Sequence, residues 1–320
     1  MPSDPGTPSA HDRGGHRVPR RASRPRDRHA SPPRPGHGRG PGTDASERFR
    51  SLDRYRAERE WKRYEGTPQR DLFRELRARF LLRHRPEGGW ALDVGSGPGR
   101  FASALGGRPG QRILLDLSRE MLLLAQERSL GHGPTPALVR GDGLRPPLRA
   151  GRFAQVVALG NPVGFAADAS DRFLSGLMGM VAPGGTLLLE VVCGPGERSR
   201  YLSRLPGGAV RRLLAAPVNL VRSRAEREGF LREPSVRRSG SSFRRYAPSE
   251  LEALLRTGGF RTHETLSVAP ALGADADRLA AVRADPLAWS HLLELEEALG
   301  RTPGRYPGAA ALLIAAVREA

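Results

Sequence analysis

The 320-residue chain has a single cysteine, Cys193, and a single lysine, Lys62. One thiol excludes an intrachain disulfide framework and any zinc site built from several cysteines. Long apolar runs are missing too: the longest uncharged one, Tyr306 to Val317, is too short to span a bilayer. The N-terminus holds arginine and proline but no apolar stretch of the kind a secretory signal needs. These absences point to a soluble, cytoplasmic protein. Hydrophobic residues still make up 38% of the chain, enough to bury a real core.

The net charge is +18, and 51 of the 52 cations are arginine. Arginine in place of lysine, together with abundant Ala, Gly and Pro, marks a GC-rich genome; it explains the choice of cation but not the surplus. The surplus is uneven. Residues 1–45 carry nine Arg against four acids, and residues 197–245 thirteen against four. Residues 1–45 also hold nine prolines and no Leu, Ile, Phe, Tyr or Trp. Such a stretch cannot bury enough apolar surface to offset the entropy of ordering it, so a disordered basic tail is expected. A solvated tail, or a start codon placed too early, accounts for it better than a dedicated RNA contact. The tail histidines His11, His16, His29 and His37 lack metal-site spacing.

From Ser46 the pattern turns helical, with Phe49, Leu52, Tyr55, Trp61 and Tyr64 on one stripe. After Gly66-Thr67-Pro68, a second stripe runs through Leu72, Phe73, Leu76, Phe80 and Leu81, with Thr67 as cap and Pro68 in the first turn. N-terminal helices therefore fill 46–88. Strand and helix patterns alternate from there: strands over 90–94, 112–116, 137–140, 153–159 and 186–192, helices over 118–129 and 167–180. A helix over 249–257, a strand over 261–268 and a last apolar strand over 309–317 follow. Elements of these lengths in this alternation define an α/β fold, a mostly parallel sheet covered on both faces.

The most informative residues are Asp93-Val-Gly-Ser-Gly-Pro-Gly-Arg-Phe101. Glycines between a strand and a helix let the backbone turn tightly and approach a ligand. The spacing is G-x-G-x-G rather than the G-x-G-x-x-G of a dinucleotide loop. Asp93, two residues before the first glycine, would repel a pyrophosphate but suits a ligand with an ammonium and a sulfonium. Asp116 ends the second strand, where a carboxylate can accept both hydroxyls of a ribose; alone it could equally be a helix cap. Asp142, in Arg140-Gly-Asp-Gly143, ends the third strand, where it can accept the exocyclic amine of an adenine; alone it could be a turn residue. Three such acids at successive strand ends outweigh these separate readings.

These residues resemble the class I S-adenosylmethionine-dependent methyltransferases. The match runs through Leu92 to Phe101, Leu115-Asp-Leu-Ser118 with Met121, Gly141-Asp142, Val156 to Asn161 and Val181 to Glu190. It continues weakly through Pro248-Ser-Glu-Leu to Gly258-Gly-Phe260. The resemblance implies a Rossmann-like seven-stranded sheet of order 3-2-1-4-5-7-6 with strand seven antiparallel, within a domain over 46–320. It implies S-adenosyl-L-methionine as cofactor, with S-adenosyl-L-homocysteine as product. The implied cofactor residues are Asp93, Gly95, Ser96, Gly97, Gly99, Asp116, Leu117, Met121, Gly141, Asp142 and Gly143, with Gly95, Gly97 and Gly99 at the methionine part, Asp116 at the ribose, Asp142 at the adenine and Met121 near it. Leu159, Gly160 and Asn161 would border the transferring methyl. One departure is Phe153-Ala-Gln155, where the family often has Phe-Asp.

Methyl transfer needs positioning and exclusion of water, so no catalytic residue and no metal need be visible. Asn161-Pro-Val-Gly-Phe165 differs at two positions from the Asn-Pro-Pro-aromatic box of similar base-amine methyltransferases, and reads better as a loop bordering the cofactor. Residues 193–245, where Tyr201, Leu202, Leu205, Val210, Leu213 and Leu214 interleave with arginines, are expected to form a helical cap. Its arginines suit carboxylate or phosphate groups on a small or medium acceptor. RNA is a second acceptor class, a protein a third, though the cap has few aromatics for base stacking. A non-catalytic cofactor-binding module is the remaining reading. Trp61 and Tyr64 are candidates to close over the site or to pack in the core, Glu190 to be structural or to face the pocket. Cys193 reads as a small buried hydrophobe, and His84 and His263 have no evident partner.

Overall fold

The computed structural model describes residues 54, 56–63, 65–108, 110–129, 134–192, 244–268, 276–301 and 311–319. All of them fall within the compact unit Asp44–Ala320. The tail over 1–45, Tyr64, Cys193 and all of the expected cap except Arg244 and Arg245 lie outside the described residues.

Seven strands form one sheet of order β3-β2-β1-β4-β5-β7-β6. They are β1 (Trp90–Val94), β2 (Arg112–Asp116), β3 (Ala137–Arg140), β4 (Phe153–Ala158), β5 (Val181–Val192), β6 (Phe260–Ser267) and β7 (Ala311–Arg318). The first five run parallel, and β7 lies antiparallel between β5 and β6. The central strands are apolar on both faces, as a sheet covered on both sides requires. Ala91, Leu114, Val157, Leu188 and Leu313 pack on one side, against α2 (Pro68–Arg83) and α3 (Arg119–Ser129). Leu92, Leu115, Val156, Leu187 and Leu312 pack on the other, against α5 (Ser170–Met180) and α6 (Pro248–Thr257). A short helix, α1, covers residues 56–62. Thr67 caps α2 as expected, its hydroxyl accepting the Arg70 N–H at 3.3 Å.

Three expectations are corrected. The helix expected over 167–180 is divided: α4 (Pro162–Phe165), a 3-10 turn (Ala167–Ala169) and then α5, with Ala167 at a left-handed φ of 48°. Strand β5 begins at Val181, not Thr186, because Val181 pairs with Phe153 and the register then shifts past Gly184. Two helices between β6 and β7 went unread, α7 (Ala276–Arg283) and α8 (Pro286–Gly300). The sequence did carry a start signal for α8: Asp285 accepts the Leu287 and Ala288 N–H groups, and Pro286 takes the first helical position.

Several polar groups inside this core are paired. Gln155, at the position that departs from the family pattern, is fully buried; its Oε1 accepts the Gly106 N–H at 2.7 Å and its Nε2 donates to the His84 carbonyl at 3.0 Å. His84 has a partner after all, Glu264 at 2.7 Å, and stands edge-on to His263 with ring centroids 5.6 Å apart. Glu264 also meets Arg83 and Arg301, and these donors outweigh burial to hold its carboxyl far below the usual range.

The deepest pair is Arg77 with Glu190, a bidentate contact linking α2 to β5. Burial alone would push the Glu190 carboxyl up, but Arg77 and the Gly160 N–H together hold it below its ordinary value. Arg77→Ala would strand that carboxylate, and removing one partner of a buried pair costs about 3–5 kcal/mol. The sign with pH follows: without Arg77 the Glu190 pKa rises, so protonation relieves the defect. Urea unfolding should show the full loss at pH 7.5 and a smaller one near pH 5; a loss independent of pH would mean that packing, not charge, is what Arg77 contributes.

Candidate active site

The chain leaves β1 at Val94 and turns through the glycine loop, where the Gly95 and Ser96 N–H groups donate to the Leu115 carbonyl at 2.9 and 3.2 Å. Gly95, Gly97 and Gly99 all take left-handed φ angles, of 70°, 54° and 71°. Their surroundings differ. A Cβ on Gly95 would sit 2.9 Å from Pro162, whereas one on Gly97 would meet nothing within 4 Å. A Cβ on Gly99 would strike Ala125 at 2.9 Å and Leu114 at 3.1 Å, so Gly99 is the place where the loop closes onto α3 and β2.

The three strand-end acids converge on the same space. Asp116 Oδ2 accepts the Gly97 N–H at 2.8 Å and Oδ1 the Ser118 N–H at 2.9 Å. It therefore fastens the glycine loop and opens the α3 turn, while a carboxylate has lone pairs left for further donors. Asp142 Oδ1 accepts the Leu144 N–H at 2.9 Å, a turn contact, and the residue also lines the cavity. The Asp93 side chain has no hydrogen-bond donor among the described residues, although the residue is only 4% exposed. Burial, and then the neighbouring Asp116 charge, push its carboxyl up to about 7. Burial raises Asp116 as well, against the pull of its backbone donors.

A cavity of about 540 Å³ lies over these groups. Of the residues expected at the cofactor, Asp93, Gly95, Ser96, Gly97, Asp116, Leu117, Met121, Gly141, Asp142, Gly143, Leu159 and Gly160 line it, whereas Gly99 and Asn161 do not. Asn161 is buried, at a left-handed φ of 68°; its Oδ1 accepts the Val192 N–H at 3.2 Å and its carboxamide packs on Gly164. That oxygen is thus engaged in holding the end of β5. Glu190 does not line the cavity but accepts the Gly160 N–H at 2.9 Å, directly behind the wall.

Several lining residues were not read from the sequence. Glu60 and Arg63 come from α1 and the turn after it, and Phe173 comes from α5. A Cβ on Gly143 would lie 2.6 Å from the Phe173 ring, so that glycine lets the cavity wall close there. Phe165 and Leu117, 57% and 68% exposed, form apolar parts of the rim. Trp61 is not a lining residue; its ring lies between the Arg100 and Arg128 guanidinium groups, at 4.2 and 5.0 Å.

Sheet order, glycine loop and strand-end acids together define a nucleoside-cofactor site of the doubly wound α/β type. Residues 91–185 match the family model described as a methyltransferase domain, and that stretch carries the glycine loop and the three strand-end acids. A search of curated proteins finds no match. Among solved structures, a chain of the complex between the Haloferax volcanii Trm112 methyltransferase activator and a methyltransferase is 20% identical, covering 87% of this chain and 98% of that one, with TM-score 0.48. Magnesium protoporphyrin IX methyltransferase from Synechocystis PCC 6803 with bound SAH is 15% identical (86% and 100% covered, TM-score 0.47). An S-adenosylmethionine-dependent methyltransferase from Mesorhizobium loti is 20% identical (80% and 100%, TM-score 0.44).

The residues present fit this cofactor. A buried carboxylate without a donor among the described residues, Asp93, matches a ligand with two cationic centres, and the open space over Gly97 lets a ligand lie against the backbone. S-adenosylmethionine supplies a methyl group on a sulfonium that leaves as a neutral thioether. The protein's part is to orient the reactants and exclude water, which can supply roughly 7–11 kcal/mol. Leu159, Gly160 and Pro162 form the wall on the β4 side, held from behind by Glu190.

The raised carboxyl of Asp93 predicts a pH-dependent affinity for a cationic ligand in this cavity. Its raised pKa means that the folded protein holds a proton which the unfolded chain gives up near pH 4, so the empty protein loses stability as pH climbs toward 7. A cationic ligand favours the carboxylate, so binding expels that proton. Affinity for S-adenosylmethionine should rise about five- to tenfold between pH 6 and 7.5, with proton release detectable by calorimetry in buffers of different ionisation enthalpy. Asp93→Asn should bind more weakly and without this slope; an unchanged slope would place the titrating group elsewhere.

Proposed function

We propose that this methyltransferase acts on a small or medium acceptor that enters beside α4 and is held by residues between β5 and α6. The observation behind this reading is that both described ends of that stretch are fastened to one turn. The Val192 N–H donates to Asn161 Oδ1 at 3.2 Å, and the Arg244 N–H donates to the Gly164 carbonyl at 2.9 Å. That turn carries Pro162 and Phe165, on the β4 side of the cavity, where ligands gather in an open parallel sheet. The stretch 197–245 carries thirteen arginines against four acids, which favours acceptors bearing carboxylate or phosphate. In this reading Asp116 takes the ribose hydroxyls, Asp142 the adenine amine and Asp93 the ammonium of the cofactor.

Two outcomes test it. Asp116→Ala should weaken S-adenosylhomocysteine roughly ten- to a hundredfold, since a hydrogen bond to a charged group contributes about 1.5–3 kcal/mol. It should also lower the melting temperature, because the Gly97 and Ser118 anchors go with it; unchanged affinity would move the ribose elsewhere. Replacing 196–243 with a short linker should spare cofactor binding and abolish methyl transfer to the small-molecule fraction of a cell extract. Transfer at the full rate would remove that stretch from acceptor binding. Label arriving instead on RNA or protein, and falling steeply with salt, would favour a polymer acceptor.

A further inference from the structure

The cavity wall carries four carboxylates, Glu60, Asp93, Asp116 and Asp142, and two cations, Arg63 and Arg100. On the reading above, three of the acids meet the cationic and hydroxyl-bearing parts of the cofactor. The remaining charged group is the anionic α-carboxylate of its methionine end, bonded to the same carbon as the ammonium. It needs a cation near Asp93.

The two arginines are not equivalent. The Arg100 side chain is 8% exposed, its guanidinium stacks on Trp61 at 4.2 Å, and its Nη1 lies 3.6 Å from Glu65. It is built into the underside of α1. Arg63, just beyond the end of α1, is 55% exposed, and its Nη1 lies 3.1 Å from Glu60. An exposed pair of this kind is weak, so the guanidinium can exchange partners. Arg63 also acts on Glu190, helping to keep that carboxyl ionised, and Glu190 in turn holds the Gly160 N–H. Glu60 and Arg63 both line the cavity, one from the last turn of α1 and the other from the turn that follows it.

The short α1 is strapped in place by contacts separate from the cavity. Arg54 makes a bidentate pair with Glu127 of α3, both contacts at 2.7 Å. Trp61 is held between Arg100 and Arg128. These contacts fix the helix across the glycine loop and leave its last residues to face the cavity.

We propose that Arg63 is the receptor for the α-carboxylate of the cofactor, delivered by α1 as a strap across the methionine end. The inference rests on the cofactor reading of the cavity. A guanidinium fork matches a carboxylate in geometry as well as charge, which a lysine at the same place would not. Arg63 acts in binding and touches no bond that breaks.

The test compares two ligands by calorimetry. S-adenosylhomocysteine carries the amino-acid end; 5′-methylthioadenosine has the same adenine, ribose and thioether without it. Arg63→Gln should weaken S-adenosylhomocysteine roughly ten- to a hundredfold, leave 5′-methylthioadenosine within about twofold, and leave the ligand-free melting temperature unchanged. Arg63→Lys should recover part of the loss. Equal loss for both ligands, or loss for neither, overturns the proposal while leaving the cofactor reading intact. Wild-type protein that binds neither ligand overturns the cofactor reading itself. Arg54→Gln serves as the structural control: loosening the strap should weaken S-adenosylhomocysteine more than 5′-methylthioadenosine.

Discussion

The buried pair between Arg77 and Glu190 is the constraint on which the site's geometry depends. It joins three elements that would otherwise be positioned independently: α2 through Arg77, β5 through Glu190, and the end of β4 through the Gly160 N–H that Glu190 accepts. Two ions taken out of water make a costly arrangement unless every lone pair is used. Here the carboxylate has the guanidinium on one side and a backbone donor on the other, so it stays charged in the core. The consequence reaches the cavity, because Gly160 is part of its wall.

Opposite that wall the electrostatics run the other way. Asp93 and Asp116 are raised, chiefly by burial, and Asp93 has no donor among the described residues. The protein holds one buried carboxylate fully neutralised behind the site and another poorly satisfied within it. The first fixes shape; the second is stabilised by a cationic ligand. The helix α1 adds the opposite sign, with Arg63 on the same cavity wall.

Much of this was legible in the sequence, for identifiable reasons. Alternation pointed to a mostly parallel sheet, its strand order was implied by the family resemblance, and Asp93, Asp116 and Asp142 stood out because each lies near the end of a strand at the same sheet edge. Spacing could not reveal which way each glycine faces: Gly97 opens to the cavity, whereas Gly99 packs against Ala125. Nor could it place Glu60 and Arg63, since long-range contacts such as Arg54–Glu127 and Trp61–Arg100 bring α1 to the site. Phe173 read as one more apolar residue of a helix stripe. Asn161, expected to border the methyl, does not line the cavity, and its side chain is engaged with Val192. The helices α7 and α8 follow one another with no glycine or strand signal separating the two, and the Asp285-Pro286 start of α8 is what marks them in the sequence.

The central claim is that this glycine loop and these strand-end acids select a sulfonium nucleoside over a dinucleotide. A paired calorimetric titration of the wild-type protein with S-adenosylmethionine and with a nicotinamide dinucleotide tests it most directly. The account predicts saturable, single-site binding of S-adenosylmethionine and none of the dinucleotide, whose pyrophosphate would face Asp93. Tight dinucleotide binding with no heat from S-adenosylmethionine would contradict it.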